Sequence, residues 1–479
     1  MESASAGVDF HVREPPIRPS ASDMWFFSYL PWSLSGGLSA PLIPLLALAL
    51  YPSIGPLGVA IIVAASDVSE IPLTIVWGNL SDSLRHRKWF MVFSFALTGV
   101  TLIAMPFSPS LQVYYLLNVI GGVFSAASAP IGTILLLETR AKRWWPRDVG
   151  LFGLVSGIGT AAGLGIGAAW MYFLAPAGSL SLGSTPALEA LLILTGMLAL
   201  IAAMIAAVSI HEPTTHVDRD DLDEHLHLGR GVVERLRGFR RRIVAIIRMA
   251  QGEPVPLPLR EWVFLGSLFA VSFGSQMFYG TFVYFLASTN GASLSEAAVF
   301  LVFFASAFAS TALFYSSGQV AERYSPKKVF VGSMLVRAAL IPLFLVVTLP
   351  RFPLHLGETV WMVLLNGFMG VTWAFASTGS TIFLLRLLTG NANRGKALGL
   401  YNALSGFGGI AGTLIGGGLY FMTGVTTAYL IAAGVVLAGC LVLVPIRYHF
   451  IPYRQISRPL EPRGRPSLDS SHGLPPWEP

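Results

Sequence analysis

Long apolar runs dominate this sequence, and their length restricts the possible folds more than any other feature. A helix rises about 1.5 Å per residue, so about 17 to 25 apolar residues cross the hydrocarbon core of a bilayer. Six such runs precede a charged stretch at 211–260 and six follow it. They cover residues 26–49, 54–77, 89–107, 109–137, 149–174, 187–210, 262–288, 294–317, 329–349, 356–385, 397–422 and 425–448. The pattern predicts an all-α polytopic membrane protein with 12 transmembrane helices in two six-helix halves.

Composition supports the membrane class. Of 479 residues, 54% are hydrophobic and only 12% are charged, which is too little charge to cover a soluble protein of this size. The single cysteine, Cys440, excludes an intramolecular disulfide and a cysteine metal cluster. The polar first 22 residues lack the apolar core and cleavage site of a removable signal peptide, so we expect the first run to be a retained span.

The distribution of basic residues predicts the orientation. Lysine and arginine cluster in the loops on one side, in the middle stretch and in both termini, whereas Arg351 alone falls in a loop on the other side. The positive-inside rule makes the basic side cytoplasmic. The net charge of +6 then reflects loops that face an anionic leaflet, with no nucleic-acid partner expected. The expected division is a cytoplasmic N-terminal tail (1–25), a first half (26–210), a cytoplasmic linker (211–260), a second half (261–448) and a cytoplasmic C-terminal tail (449–479).

The two halves repeat each other. "LLNVIGGVFSAASAPIGTILLLE" in the fourth run is similar to "LLNGFMGVTWAFASTGSTIFLLR" in the tenth, which pairs Asn118 with Asn366. "SGIGTAAGLGIG" in the fifth run likewise matches "SGFGGIAGTLIG" in the eleventh. Glycines at every fourth position let these helices approach their neighbours closely, either as sliding surfaces between the halves or as static packing. Ordered matches at nearly constant separation predict two homologous, pseudo-symmetric halves.

Two polar interruptions carry a family resemblance. "WGNLSDSLRHRK" (77–88) resembles the signature G-x-x-x-D-x-x-G-R-[RK] of the major facilitator superfamily of secondary transporters, although Arg85 and His86 depart from it. "GQVAERYSPKK" (318–328) is a weaker second copy, and "NRGKALGLYNALSGFGGIAG" is also typical of the family. The resemblance covers about residues 25 to 450. It implies the superfamily fold and transport by alternating access, and it leaves the substrate open.

The resemblance also implies a cytoplasmic gate that holds the halves together when the cavity faces outward. Arg87 requires an acidic partner on the same side, for which Glu138 is the best-placed residue, and Glu322 with Arg386 would be the mirrored pair. Alternatively, these charges only mark cytoplasmic turns. The predicted gate residues are Gly78, Asp82, Arg87, Glu138, Gly318, Glu322 and Arg386.

Ionisable residues within the runs point to a mechanism, because a charge in hydrocarbon costs about 2.5 kcal/mol or more. Asp67 lies in the middle of the second run, and Glu70 lies one turn closer to the cytosol on the same stripe as Gly78. We predict that this pair couples proton movement to transport; the alternative is a hydrogen-bonded carboxyl group or a partner for Arg337. Arg337 itself is a buried charge in the ninth span, which the resemblance places at the periphery, so we favour a structural over a substrate role.

The resemblance places the first, fourth, seventh and tenth helices around the substrate cavity. Polar side chains are few there, which suits amphipathic compounds better than sugars. Packing between helices is the alternative for each residue. The predicted cavity residues are Asn118, Gln276, Tyr279, Asn366 and Trp373.

We expect neither a metal site in the linker nor enzyme activity in the chain. Its histidines and acids lack standard metal-ligand spacing, so a solvated segment is favoured over a metal site. Its second part, "RGVVERLRGFRRRIVAIIRMA", has the pattern of an amphipathic basic helix on the inner leaflet. No phosphate-binding Gly-Lys loop occurs, and no cofactor is predicted.

The leading functional hypothesis is a proton-coupled exporter of an amphipathic small molecule. A proton-coupled importer of a small metabolite and a non-transporting receptor or scaffold on the same fold are the alternatives. The expected partners are a small-molecule substrate, protons and the lipid bilayer of the cell membrane, around a monomeric chain.

Overall fold

The structure is a computed structural model that describes residues 27–84, 87–139, 145–174, 185–210, 259–289, 291–349, 355–387 and 394–446. Every regular element in those ranges is a helix. The predicted tails and the predicted amphipathic helix of the linker lie outside the described residues.

The first half contains seven described helices. They are α1 (Tyr29–Leu50), α2 (Pro56–Leu84), α3 (Arg87–Ala104), α4 (Leu111–Ser125), α5 (Ser128–Thr139), α6 (Trp145–Leu174) and α7 (Thr185–Ser209). A short 3₁₀ segment, Met105–Phe107, continues α3. The fourth predicted span is thus divided between α4 and α5.

Six helices form the described part of the second half. They are α8 (Leu259–Ala287), α9 (Glu296–Tyr324), α10 (Pro326–Leu343), α11 (His355–Leu387), α12 (Arg394–Thr423) and α13 (Val425–Leu441). The 3₁₀ segment Phe344–Thr348 follows α10. Within the described ranges, 11 stretches are long and apolar enough to cross a bilayer, and α13 is a shorter apolar helix of 17 residues. The prediction of an all-helical membrane protein is confirmed.

Pro130 explains why the fourth span is broken while its repeat, α11, is continuous. Proline has no amide N–H, so it cannot make the i→i−4 hydrogen bond of a helix interior. Just before the proline, the hydrogen bonding changes from i→i−4 to i→i−3: the Ala127 amide donates to the Phe124 carbonyl at 3.3 Å. The corresponding part of α11 reads "ASTGS" and contains no proline.

The same helix pairs pack together in both halves. In the first half, α1 contacts α6 and α7, α3 contacts α4 and α7, and α2 contacts α4. In the second half, α8 contacts α12 and α13, α10 contacts α11 and α13, and α9 contacts α11. Each pair in one half has its equivalent in the other, which is the tertiary counterpart of the sequence repeat.

The halves meet along α6 against α9 and α2 against α12, and glycines of α6 and α12 lie at several of these contacts. A Cβ on Gly157 of α6 would lie 2.7 Å from the Thr311 hydroxyl oxygen on α9. A Cβ on Gly406 of α12 would lie 2.7 Å from Ile71 on α2. Cβ atoms do not approach other atoms that closely, so a larger residue at either position would displace the facing side chain or the helix.

Other glycines of the same rows pack inside each half. Gly163 of α6 lies against the backbone of Leu34 on α1, and Gly412 of α12 lies against the backbone of Phe273 on α8. The two interpretations of the glycine rows therefore both apply. One face of α6 and of α12 packs within its half, and another face contacts the opposite half.

We expect Gly406→Leu to destabilise the protein and Gly418→Leu on the same helix to leave its stability nearly unchanged. The first side chain would collide with Ile71, whereas nothing lies within 4 Å of a Cβ on Gly418. Overpacking costs about 1–3 kcal/mol, so the thermal unfolding midpoint of the purified Gly406→Leu variant should fall. Equal midpoints for the two variants would contradict the close contact between α2 and α12.

Candidate functional site

A cavity of about 570 Å³ lies between the two halves. Residues of α1, α2 and α6 line it from the first half, and residues of α8 to α12 line it from the second half. Most of its polar groups come from the second half. The polar lining residues are Asp67, Thr160, Ser272, Ser275, Gln276, Tyr279, Ser306, Arg337, Asn366, Ser377, Ser380, Tyr401, Asn402 and Ser405. The lining is thus richer in polar groups than the sequence led us to expect.

Four of the predicted cavity residues line this space: Gln276, Tyr279, Asn366 and Trp373. Tyr279 and Asn366 are linked, because the tyrosine hydroxyl donates to the Asn366 Oδ1 at 3.2 Å. Trp373 is about half exposed (52%) although it lies in a transmembrane helix.

Asn118 is placed elsewhere. Its side chain is buried, and its amide donates to the Ile62 carbonyl at 2.6 Å. Its repeat partner Asn366 makes the equivalent bond to the Val302 carbonyl at 2.8 Å. Each asparagine therefore ties the fourth span of its half to the second span. Only Asn366 also borders the cavity, so for Asn118 the packing alternative describes its position.

Asp67 and Glu70 occupy different environments. Asp67 lines the cavity, and no described residue donates a hydrogen bond to its carboxylate. The Glu70 carboxylate instead accepts a hydrogen bond from the Ser125 hydroxyl at 3.1 Å, beside the break between α4 and α5. Three residues along a helix correspond to a rotation of about 60° between the side chains, which is enough to direct them to different neighbours.

Arg337 borders the cavity, although the resemblance places its helix at the periphery. The residue is only 3% exposed. Although α10 itself packs on α11 and α13, the long side chain reaches past α11. Its Nη1 donates to the Met369 carbonyl at 3.4 Å and to the Thr372 hydroxyl at 3.3 Å.

Aromatic rings surround the same guanidinium. Its central carbon lies 5.2 Å from the ring centroid of Tyr279 and 5.7 Å from that of Trp373. The contacts described for Arg337 include no carboxylate, so the suggested pairing with Asp67 does not occur in this conformation.

Hydroxyl groups on α8, α11 and α12 complete the polar wall, and sequence reasoning missed them. The Ser272 and Ser405 hydroxyls are 3.0 Å apart, and those of Ser380 and Tyr401 are 2.9 Å apart. Serine is common in membrane helices, where it often bonds its own backbone, so nothing in the sequence distinguished these positions. Their shared orientation toward one cavity is a property of helix packing.

The predicted gate is only partly within the described side chains. Arg87 is buried, and its Nη1 donates to the Ser81 hydroxyl at 2.6 Å. Gly318 lies on α9, where a Cβ would be 4.0 Å from Thr378 of α11, and Arg386 lies in the last turn of α11. The side chains of Gly78, Asp82, Glu138 and Glu322 lie outside the described part, so the gate stays a prediction. The described residues contain no group of three or more potential metal ligands.

Comparison with known proteins yields one family. The family model described as "Major Facilitator Superfamily" matches residues 25–267 and 263–471. The chain is similar in structure to a point mutant of the nucleoside transporter NupG (TM-score 0.63, 16% identity), covering 88% of this chain and 98% of that one. It is similarly related to the inward-open xylose transporter XylE from E. coli (TM-score 0.63, 12% identity), covering 88% of this chain and 95% of that one. No curated protein matches the sequence.

We expect Asn118→Leu to lower the free energy of unfolding by about 0.5–1.5 kcal/mol, because the buried hydrogen bond from its amide to the Ile62 carbonyl would be lost. Gln276→Leu is the control, since Gln276 lines the cavity and makes no hydrogen bond to the described residues. Thermal unfolding of the purified variants measures both effects. An unchanged midpoint for Asn118→Leu would show that its amide does not tie α4 to α2.

Proposed function

Because the chain belongs to the major facilitator superfamily, we propose that this membrane transporter is proton-coupled and that Asp67 carries the proton. The position of Asp67 supports this proposal most directly. It is the carboxylate among the residues that line the cavity, and the described residues give it no hydrogen-bond donor. A carboxylate at this depth is costly as an anion unless water or a proton reaches it.

We assign different roles to the two predicted acids. Glu70 is held by Ser125, so its charge has a fixed partner within the first half. Asp67 faces the space between the halves, where access to water changes as the halves rock. Asp67 is therefore the proton carrier in this proposal, and Glu70 is a neighbour that influences its proton affinity.

The cavity suits an amphipathic solute. Its polar wall on the second half is accompanied by apolar lining groups, among them Leu164, Val271 and Phe303. Export of such a compound is the direction that we propose, with import of a small metabolite as the alternative. Solute accumulation in inside-out compared with right-side-out vesicles distinguishes the two directions. Absence of flux in liposomes under every gradient would favour the non-transporting receptor instead.

Alternating access requires that the halves separate at one end at a time. We retain the gate of Gly78, Asp82, Arg87, Glu138, Gly318, Glu322 and Arg386 as part of the proposal. Burial of Arg87 is consistent with a role beyond marking a turn, because an arginine is rarely buried without a structural or functional reason.

We expect Asp67→Asn to abolish accumulation driven by an imposed pH gradient in proteoliposomes, with a solute identified by a thermal-shift screen. Counterflow exchange of the same solute should persist, because the substitution removes the titratable group without changing the shape of the cavity. Glu70→Gln on the same helix is the matched control and should retain accumulation. Wild-type dependence on the pH gradient in Asp67→Asn would remove Asp67 as the proton carrier.

The proposed orientation places both termini and the linker in the cytoplasm. Cys440 is buried and is the only cysteine, so Cys440→Ala gives a cysteine-free background. In that background, we expect a membrane-impermeant maleimide to label Ser53→Cys, in the α1–α2 loop, in intact cells. Tyr324→Cys, at the end of α9, should react only after permeabilisation. Both positions are exposed, so the reverse labelling pattern would invert the topology.

A further inference from the structure

Arg337 is the only cation among the described residues that line the cavity, and none of those that contact it carries a negative charge. Burying an unpaired charge is strongly unfavourable, so a guanidinium that is 3% exposed normally has a carboxylate beside it. An arginine with a purely structural role normally finds that carboxylate within the same protein. Arg337 has no such carboxylate among its described contacts in this conformation.

The hydrogen bonds of the guanidinium confirm that it is incompletely satisfied. Both bonds to α11, to the Met369 carbonyl and the Thr372 hydroxyl, are made by Nη1 and are long, at 3.4 and 3.3 Å. The Tyr279 hydroxyl is also a neighbour of the group. Nε is buried and has no hydrogen-bond partner among the described residues. A donor that is free, buried and beside a cavity is positioned to bind an acceptor on a ligand.

The aromatic neighbours orient the guanidinium without neutralising it. Tyr279 and Trp373 both lie within cation–π distance, and such contacts favour a positive charge. The Tyr279 hydroxyl is itself fixed by its bond to Asn366. Residues of three helices, α8, α10 and α11, therefore fix the orientation of the guanidinium and its N–H donors before any ligand enters.

The surroundings restrict the chemistry of the ligand. Phe330, Met334 and Arg337 follow one another at helical spacing on one face of α10, so an apolar surface continues directly from the guanidinium. Asp67 is the other charged lining residue, and its negative charge disfavours a second negative charge on the ligand. The single cation in the lining therefore favours a ligand with a single anionic group. A carboxylate fits best, because its two oxygens can accept two parallel N–H bonds from a guanidinium.

We propose that Arg337 is the substrate-binding residue for the single carboxylate of an amphipathic organic monoanion. The carboxylate accepts from Nε and from a second N–H of the guanidinium, while the apolar body of the ligand packs along Phe330 and Met334. This inference rests on the proposed transport function for its physiological meaning, but binding can be measured without transport or a proton gradient.

The probes are benzoate, 2-naphthoate and indole-3-acetate, each compared with its own neutral amide. Equilibrium binding to the purified full-length protein in detergent is measured by thermal shift and by competition between probes. We expect at least one carboxylate to bind about tenfold or more tightly than its amide, which corresponds to a charge-assisted hydrogen bond. If no carboxylate of the panel is preferred over its amide, the proposal is overturned, whatever the Asp67 transport assay shows.

Substitutions of Arg337 test whether this residue is the source of the carboxylate preference. Arg337→Gln should remove the preference for the carboxylate while leaving weak binding of the amide, and Arg337→Lys should retain part of it, because a lysine keeps the charge and loses the fork. Arg323→Gln, an exposed arginine on α9, is the matched control and should behave as wild type. A full carboxylate preference in folded Arg337→Gln would overturn the proposal.

A purely internal role for Arg337 makes a different prediction. In that case Arg337 forms an ion pair with Asp67 in another conformation and does not bind the ligand. Arg337→Gln would then alter proton-driven transport and leave any carboxylate preference intact. Should Arg337→Gln fail to fold, Arg337→Lys provides the comparison: it should retain only part of the carboxylate preference, and a full preference in that variant would overturn the proposal. Loss of pH-driven accumulation in Asp67→Asn tests the proposed function separately.

Discussion

Polar groups inside a bilayer have little or no water to bond to, so they must find partners within the protein, and this constraint shapes the whole molecule. Helices satisfy the backbone along each span. Where Pro130 removes an amide N–H, the fourth span breaks, and Ser125 at the break bonds Glu70. Asn118 and Asn366 use their amides on carbonyls of neighbouring helices. Against this background, the two charged residues that line the cavity stand out: among the described residues, the Asp67 carboxylate has no hydrogen-bond donor and the Arg337 Nε has no acceptor.

Duplication gave the halves a common scaffold, and divergence gave them different chemistry. The two asparagines make the same bond in their own halves, but only Asn366 also accepts from a tyrosine beside the cavity. The second half contributes most of the polar wall and Arg337, whereas the first contributes Asp67. In the proposed cycle, the proton and the solute carboxylate thus bind to opposite halves. In that cycle, rocking of the halves changes the side of the membrane from which both sites are accessible, and this shared change of access couples the proton to the solute.

The fold was predictable from sequence because its signals are local and repeated. Run length defines the spans, and the duplicated segments define the halves, which the identical helix pairing reproduces. Part of the site followed as well, since Gln276, Tyr279, Asn366 and Trp373 line the cavity. Asn118 showed the limit of symmetry as a guide: its repeat partner borders the cavity, and it does not. A shared residue in a repeat reports the shared packing bond more reliably than a shared function.

By itself, the sequence determined the membrane class, the two-half organisation and the presence of costly charges at 67, 70 and 337, because length, composition and repetition are properties of the chain. Only the tertiary structure decided which of these charges lack partners. A rotation of about 60° separates Asp67, at the cavity, from Glu70, at Ser125, and side-chain length carries Arg337 from a peripheral helix to the cavity. The neighbours of these three residues lie on other helices, and the spacing of residues along one helix does not specify which other helix its side chains meet.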